Sequence, residues 1–488
     1  MNHRIRRRSL AIALLVAGAP PVLGAQQQPL TLDRAIELAE QQGYQAQAAK
    51  AARAAAHFRD RAFYSRLLPQ LSLGGTIPSY NRAIIQVVQP DGSTLFRPQD
   101  QTSAALTMQL TQRLPLTGGD LFVSSSLARL KVSGGQLPFE TWSSTPVQVG
   151  VRQDIFRPNA LAWDRREQAV RGELSERQFL EAREDIALGT SSLFFDAYAA
   201  KMNLANAITN AAVNDTLYTL NKGRFEVGKI GENDLLQSEL ALLRARASVD
   251  GARLENDRAL AALRLALSIQ QPEQLEISVT ASVPDFEADT VRAVTEALRN
   301  RASVSDAELQ EVQAKRRVTE AKLSTGVGAT VQASYGFNAT GTEANLVYRN
   351  LLEARQFSLG VQVPLWQWGA HKENVQAAEA DRARVESLNK QTLDQTAQDA
   401  HFAALQLSQA RRTLAISAKA DTVAGKRFEV AYNRYVIGRI TIDNLYIAQS
   451  EKDQALAQFI QALRGYWQAY YRLRRLTLYD FAQGKPIS

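Results

Sequence analysis

The sequence predicts an α+β membrane protein in which β-barrel strands continue into long coiled-coil helices, built as two tandem repeats per chain. Three observations predict it: an internal duplication, two long proline-free segments of helix-forming residues, and short segments of strict two-residue alternation. The duplication is plainest at Arg224-Phe225-Glu226-Val227-Gly228-Lys229-Ile230, which returns 210 positions later as Arg434-Tyr435-Val436-Ile437-Gly438-Arg439-Ile440. The same offset aligns Val149-Gly150-Val151 with Leu359-Gly360-Val361 and Ile155-Phe156 with Leu365-Trp366. A register held over that span implies one structural unit repeated about an axis.

The chain begins with Arg4, Arg6, Arg7 and Arg8, an apolar run from Ser9 to Gly18, and small residues at Val22, Gly24 and Ala25. This is the pattern of a secretory signal peptide over 1–25, with a short amphipathic start as the competing reading. Its removal takes four of the eight net positive charges, so the basic balance says little about nucleic acid. No later run of 18 apolar residues exists, which leaves strands as the only way into a membrane. The absence of cysteine excludes disulfides, thiolate metal sites and a cysteine-linked lipid anchor.

Between Pro158 and Pro272 lie 113 residues without proline, and between Pro364 and Pro486 lie 121. Both are rich in Ala, Leu, Gln, Glu and Arg, which lose little on entering a helix. Leu236, Leu240, Leu243, Ala247, Leu254 and Ala261 form a narrow apolar stripe among charged residues, the coiled-coil pattern. Gly228, Gly231 and Gly438 mark turns that reverse each segment. The 70 residues from Pro158 to Gly228 make roughly 105 Å of helix at about 1.5 Å per residue.

The strands are read from alternation. Ala104, Leu106, Met108 and Leu110 alternate with polar residues, as do Val147, Val149 and Val151, then Val327, Ala329, Val331, Ala333 and Tyr335, then Phe357, Leu359, Val361, Val363 and Leu365. Lengths near nine to eleven residues and aromatics at the strand ends, among them Tyr80, Phe96, Trp142, Phe156, Phe337, Trp366 and Trp368, favour a membrane barrel over a soluble sheet. An early helix at 31–66 matches 290–324 at an offset of about 258 rather than 210. Some 48 extra residues therefore lie between 76 and 149, enough for an additional hairpin with strands at 103–113 and 120–130. Its turn, Leu114 to Gly119, is short, whereas 78–102 and 131–144 read as long polar loops on the opposite side.

These elements divide the chain into the signal at 1–25, a first repeat at 26–272 with strands over about 69–155, a second at 285–480 with strands over about 327–366, and a tail at 481–488. Four or six strands cannot close a barrel, and an open edge in lipid leaves backbone groups unsatisfied. Copies must therefore assemble around the barrel axis. Three copies give 12 strands or 18, according to whether the extra hairpin enters the membrane or folds over the mouth.

The order of motifs resembles the TolC-like outer membrane efflux family over the mature length. It is carried by Thr31-Leu32-x-x-Ala35-Ile36-x-x-Ala39, Leu67-Leu68-Pro69-Gln70-Leu71, Val363-Pro364-Leu365-x-x-x-Gly369, and the two tip motifs, Arg224-Phe225-x-Val227-Gly228 and Tyr435-x-x-Gly438. The resemblance implies a homotrimer whose outer membrane β-barrel continues into a long periplasmic α-helical barrel. It implies export with an inner membrane pump and a periplasmic adaptor docked at the helical tips, and an iris that opens by unwinding those tips. A family aspartate–tyrosine tip lock falls on Asp234 and Tyr435, for which the competing role of Asp234 is a helix cap. A family arginine falls on Ile440, with Arg439 beside it. The family's aspartate ring at the pore constriction falls on Asn444, with Asp443 adjacent and Ile447 at the second ring. Asparagine in place of a carboxylate ring implies weaker cation selectivity.

No catalytic constellation, cofactor site or metal-ligand spacing is expected: His57, His371 and His401 lack partners at helical spacing. Arg316-Arg317 and Arg474-Arg475 read as exposed helix faces, and nucleic acid is not an expected partner. The alternative from another class is a secreted coiled-coil scaffold or adhesin without a channel.

Overall fold

A computed structural model describes residues 29–133, 138–269, 275–279, 283–284 and 286–487. The expected signal peptide and the first repeat's boundary at Pro272 lie outside the described residues.

In the first repeat, α1 (Leu32–Gln42) and α2 (Tyr44–Ser65) precede four strands, β1 (Gln70–Val88), β2 (Thr94–Arg113), β3 (Asp120–Ser133) and β4 (Phe139–Ile155). The long helices α3 (Ala160–Glu226) and α4 (Glu232–Leu267) follow. The second repeat runs α5 (Thr290–Asn300), α6 (Ala302–Ser324), β5 (Gly328–Gly341), β6 (Leu352–Gln362), α7 (Ala370–Val436) and α8 (Ile442–Thr477). A small terminal hairpin, β7 (Tyr479–Asp480) with β8 (Lys485–Pro486), closes the chain.

The duplication is visible in the helix lengths. Helices α3 and α7 each have 67 residues, α4 and α8 each have 36, and their starts at 160 and 370 or 232 and 442 differ by 210. Sixty-seven residues span about 100 Å at 1.5 Å per residue. Capping side chains fix several helix starts: Asn159 Oδ1 accepts from the Ala162 amide at 3.0 Å, and Asp289 Oδ1 from that of Val291 at 2.9 Å.

The expected early helices at 31–66 and 290–324 are each broken after one short helix. Gly43 has φ −60 and ψ 145, and Arg301 has φ −71 and ψ 142, extended geometry that ends one helix and caps the next. The two breaks lie 258 residues apart, at 43 and 301. The short helices α1 and α5 then turn into the molecule's main core. There Ile36, Ala39 and Ala293 pack with Phe194, Phe195, Leu263, Leu267, Leu407, Leu463 and Tyr466. The upper half of α3 is lined by α2, where Gln168 Nε2 donates to Asp60 Oδ1 at 2.9 Å, and its lower half by α4. The helices α6 and α8 flank α7 in the same way.

A charged cluster sits inside this collar. Glu184 is 1% exposed, and Arg474 donates to its two oxygens at 3.1 and 3.0 Å and to Asp480 Oδ2 at 3.2 Å. Tyr470 Oη donates to Asp480 Oδ1 at 3.2 Å. Arg474 is thus a part-buried ion-pair partner rather than the exposed helix charge its sequence context predicts. Burial pushes the Glu184 carboxyl up and the Tyr470 phenol up to about 12.

The six strands form one antiparallel sheet in chain order, β1 to β6. Chain direction alternates at each step, so β4 pairs with β5 across the repeat boundary and both β1 and β6 are free edges. The expected loop over 78–102 is instead a β-ribbon: β1 and β2 stay paired from Gln70↔Thr111 to Val88↔Thr94. Polar residues such as Arg97, Gln99 and Asp100 disguise it in the sequence, yet they pair across the ribbon, Tyr80 Oη donating to Asp100 Oδ1 at 2.6 Å. Strand β3 likewise extends to Ser133 and β4 begins at Phe139, shortening the expected loop over 131–144. Strand β6 ends at Gln362, so Val363 and Leu365 fall outside it.

The candidate channel wall and gate

The sheet has two chemically distinct faces. Along β4 the side chains of Val147, Val149, Val151 and Ile155 share a face, opposite Phe337, Tyr335, Ala333 and Ala329 of β5. That face continues on β6 through Phe357, Leu359 and Val361, which are exposed at 72, 55 and 60%. The other face carries Gln148, Arg152 and Asp154, then Ser334, Gln332 and Thr330, then Gln356 and Ser358. Polar contacts knit this second face, Gln148 Nε2 to Ser334 Oγ at 3.0 Å and Thr330 Oγ1 to Asp154 Oδ1 at 2.7 Å. An apolar face of this size turned to solvent in a single chain calls for lipid or protein.

Four of the aromatics expected at membrane interfaces, Trp142, Phe156, Trp366 and Trp368, lie at the two ends of the strands. Trp142 lies opposite Gly341 near the loop end, with the Arg129 guanidinium over its ring at 5.5 Å. Phe156, Trp366 and Trp368 lie at the helix end, the two tryptophans edge to face at 5.1 Å and all three exposed. The hairpin turn Leu114–Gly119 is also at the helix end, where Asn159 Nδ2 donates to Pro115 O and Leu116 O at 3.1 and 3.2 Å.

At the opposite end of the helices, the two reversals share one geometry. Gly228 (φ 66) and Gly438 (φ 72) adopt the left-handed conformation that disfavours a side chain. In the first turn the Gly228 amide bonds Phe225 O and the Lys229 amide bonds Arg224 O; in the second, Gly438 bonds Tyr435 O and Arg439 bonds Arg434 O. This is the helix-ending pattern in which the residue after the glycine reaches back over the last turn. Gly231 is different: with φ −79 it is the first cap of α4, and Asp234 lies inside the first turn. Asp234 therefore does not cap the helix, although its charge suits the helix N-terminus.

The structure does not bring Asp234 to Tyr435 within the chain. Tyr435 is buried and its Oη donates to Asn221 Oδ1 at 2.6 Å, joining α7 to α3. Arg224 stacks over the same ring at 5.2 Å and donates to Tyr435 O at 3.3 Å and Val436 O at 3.0 Å. Leu217, Ile442 and Leu445 pack beside the tyrosine in a small second core. Arg224 is marked in the sequence by the tip motif, but its partner is not, and Asn221 carries no signal in local sequence, because the tyrosine they share is 211 and 214 residues away. Neither the Asp234 carboxylate nor the Arg439 guanidinium has a partner among the described residues of a single chain.

On the first turn of α8, Asp443 Oδ1 accepts from Gln237 Nε2 of α4 at 2.8 Å, and Asn444 Nδ2 donates to Thr441 Oγ1 at 3.0 Å. Asp443, Asn444 and Ile447 are all exposed on this helix start. Behind them Tyr446 is largely buried, and burial, with Tyr435 and Asp443 adding to it, pushes its phenol up to about 12. The expected stripe of Leu236, Leu240, Leu243 and Leu254 does not pack against α3. All four are about half exposed or more, and α4 buries Ser238, Leu242, Leu263 and Leu267 instead. Among the described residues no cluster could hold a metal ion, and no helix is long and apolar enough to cross a membrane.

Neither a family model nor a curated relative matches the chain in sequence. Solved structures do match in fold. The CmeC outer membrane channel of Campylobacter jejuni gives a TM-score of 0.67 at 16% identity, covering 94% of this chain and 86% of that one. A membrane protein from Pseudomonas aeruginosa gives 0.66 at 16%, covering 93% and 92%. The MtrE outer membrane channel of Neisseria gonorrhoeae, solved in its open state, gives 0.65 at 13%, covering 94% and 90%. The chain has the fold of the TolC-like outer membrane channels.

Proposed function

We propose that three copies of this chain form an outer membrane channel that exports substrates, with its helices reaching into the periplasm to meet an adaptor and an inner membrane pump. The observation that carries this reading is the sheet: one face apolar and one polar, both edges free, and every strand end on one side feeding a helix or a tight turn. Such a sheet satisfies its edges and hides its apolar face only by closing with other copies in lipid. The exposed leucines of α4 are the surface on which the helices of neighbouring copies would pack. On the same basis the repeats are taken as 26–272 and 285–480.

The tips form the gate in this reading. Within each copy, Tyr435 with Asn221 and Arg224 holds α7 against α3, and an iris motion must separate these helices. Asp234 and Arg439, opposite in charge and unpaired among the described residues, are assigned to contacts between copies. Asp443 and Asn444 line the constriction, with the carboxylate of Asp443 drawn aside by Gln237. The secreted scaffold reading leaves the apolar face of the sheet without a partner. The experiment is extraction followed by electrophoresis: the channel reading expects a protein that needs detergent and runs as a heat-modifiable trimer. A monomer released in buffer would refute it.

A further inference from the structure

The inserted hairpin β2–β3 bears on the size of the conduit, an inference that rests on the trimeric channel reading above. Among the described residues the second repeat supplies β5 and β6 to the sheet, whereas the first supplies four strands. The inserted pair is hydrogen-bonded along its length to its neighbours: Asp100 to Arg113 of β2 pairs without a shift with Ser133 to Asp120 of β3, and β3 pairs onward with Arg152 to Phe139 of β4 across one bulge between Ser124 and Ser126.

Its faces match those of the rest of the sheet. Leu106, Met108 and Leu110 lie opposite Leu127, Ser125 and Val123, which leads on to Val149 of β4 and back to Leu71 and Leu73 of β1. On the other face Thr107, Gln109 and Thr111 lie opposite Ser126, Ser124 and Phe122. Phe122 covers Gly150 so closely that a Cβ there would sit 2.3 Å from its ring. An aromatic laid over a cross-strand glycine fixes β3 onto β4 as part of the sheet. With its turn at the helix end, the hairpin traverses the same height as β4 and β5.

We propose that β2 and β3 are full membrane-spanning strands and that three six-stranded sheets close an 18-stranded barrel, a size that leaves an aqueous channel. The occupant of each free edge is a second copy of this chain. Six strands is an even number, so β1 leaves the helices and β6 returns to them, and β6 of one copy meets β1 of the next antiparallel. Leu359 and Val361 then share the lipid face with Leu71 and Leu73. At about 4.8 Å between strands and a tilt of about 40°, 18 strands give a radius of about 18 Å, against about 12 Å for 12 strands. The barrel's cross-section is more than doubled, so the helical tips, not the membrane segment, set the limit on cargo size.

The chain's lack of cysteine makes the test clean. Single variants Met108→Cys and Ser125→Cys on the apolar face of the hairpin, and Gln109→Cys and Ser124→Cys on its polar face, are reconstituted in liposomes with Leu359→Cys and Ser358→Cys as references. A water-soluble, membrane-impermeant maleimide is then applied. The expected result is no labelling at 108, 125 and 359, labelling at 109, 124 and 358, and labelling of all six after solubilisation in denaturant. Labelling of 108 and 125 with 359 still protected would place the hairpin outside the bilayer and overturn the 18-strand barrel while leaving the channel intact. Labelling of 359 as well would overturn both.

Discussion

Removing one oxygen at the tip should open the channel. Tyr435→Phe deletes the hydroxyl that reaches Asn221 Oδ1 at 2.6 Å, while the ring, 5% exposed in its pocket, keeps its packing and its contact with Arg224. Asn221 is fully buried and its Nδ2 already lacks a partner among the described residues, so the variant leaves the amide with none. A buried hydrogen bond of this kind contributes about 1 kcal/mol net. If three tips move together the closed state loses about 3 kcal/mol, a shift of roughly 100-fold in the ratio of open to closed. The assay is single-channel recording in planar bilayers for wild type, Tyr435→Phe, Asn221→Ala and the double variant. Both single variants should dwell longer in the large-conductance state, and the double variant should resemble either one, because both remove the same bond. Simple additivity, or wild-type gating in both, would refute the assignment.

Four further outcomes follow from other parts of the molecule. Reversing the charge of Asp234 or of Arg439 alone should destabilise the closed state, and Asp234→Arg with Arg439→Asp should restore it; failure of the double reversal would remove the pair from the interface between copies. Asn444→Asp should raise the cation-to-anion permeability ratio by adding a carboxylate per copy at the constriction, measured as reversal potential in a salt gradient. Arg474→Met should cost about 3–5 kcal/mol by leaving Glu184 buried without its cation, read as a lower unfolding temperature, with Glu184→Gln in the same chain recovering part of the loss. The Glu184 carboxyl, raised by burial above its ordinary 4.5, binds a proton more tightly folded than unfolded. Stability should therefore fall as pH rises from about 4.5 through the raised value and level off above it, and Glu184→Gln should flatten that slope.

What the sequence made legible was whatever leaves a local mark. Gly228 and Gly438 stood out because a helix reversal of this type needs a left-handed residue, and the 210-residue offset fixed the paired helices to the residue. Strand faces were readable where apolar residues alternate cleanly, as from Val147 to Val151. The ribbon from Tyr80 to Asp100 was not, since charged and amide residues such as Arg97 and Gln99 stand opposite Ile85 and Ala83 and break the apolar alternation. The break at Arg301 was hidden because nothing in its side chain demands extended geometry; packing of α5 into the collar sets it. Asn221 and the Glu184–Arg474 pair were invisible for one shared reason: each depends on helices brought together from opposite halves of the chain.

The central claim is that this sheet closes into a conducting barrel with other copies of the chain. Planar-bilayer recording of the purified wild-type protein tests it most directly. The expected result is insertion with small, mostly closed conductance that rises severalfold in Tyr435→Phe. A protein that runs as a detergent-independent monomer and passes no current, with or without the tip variant, would contradict it.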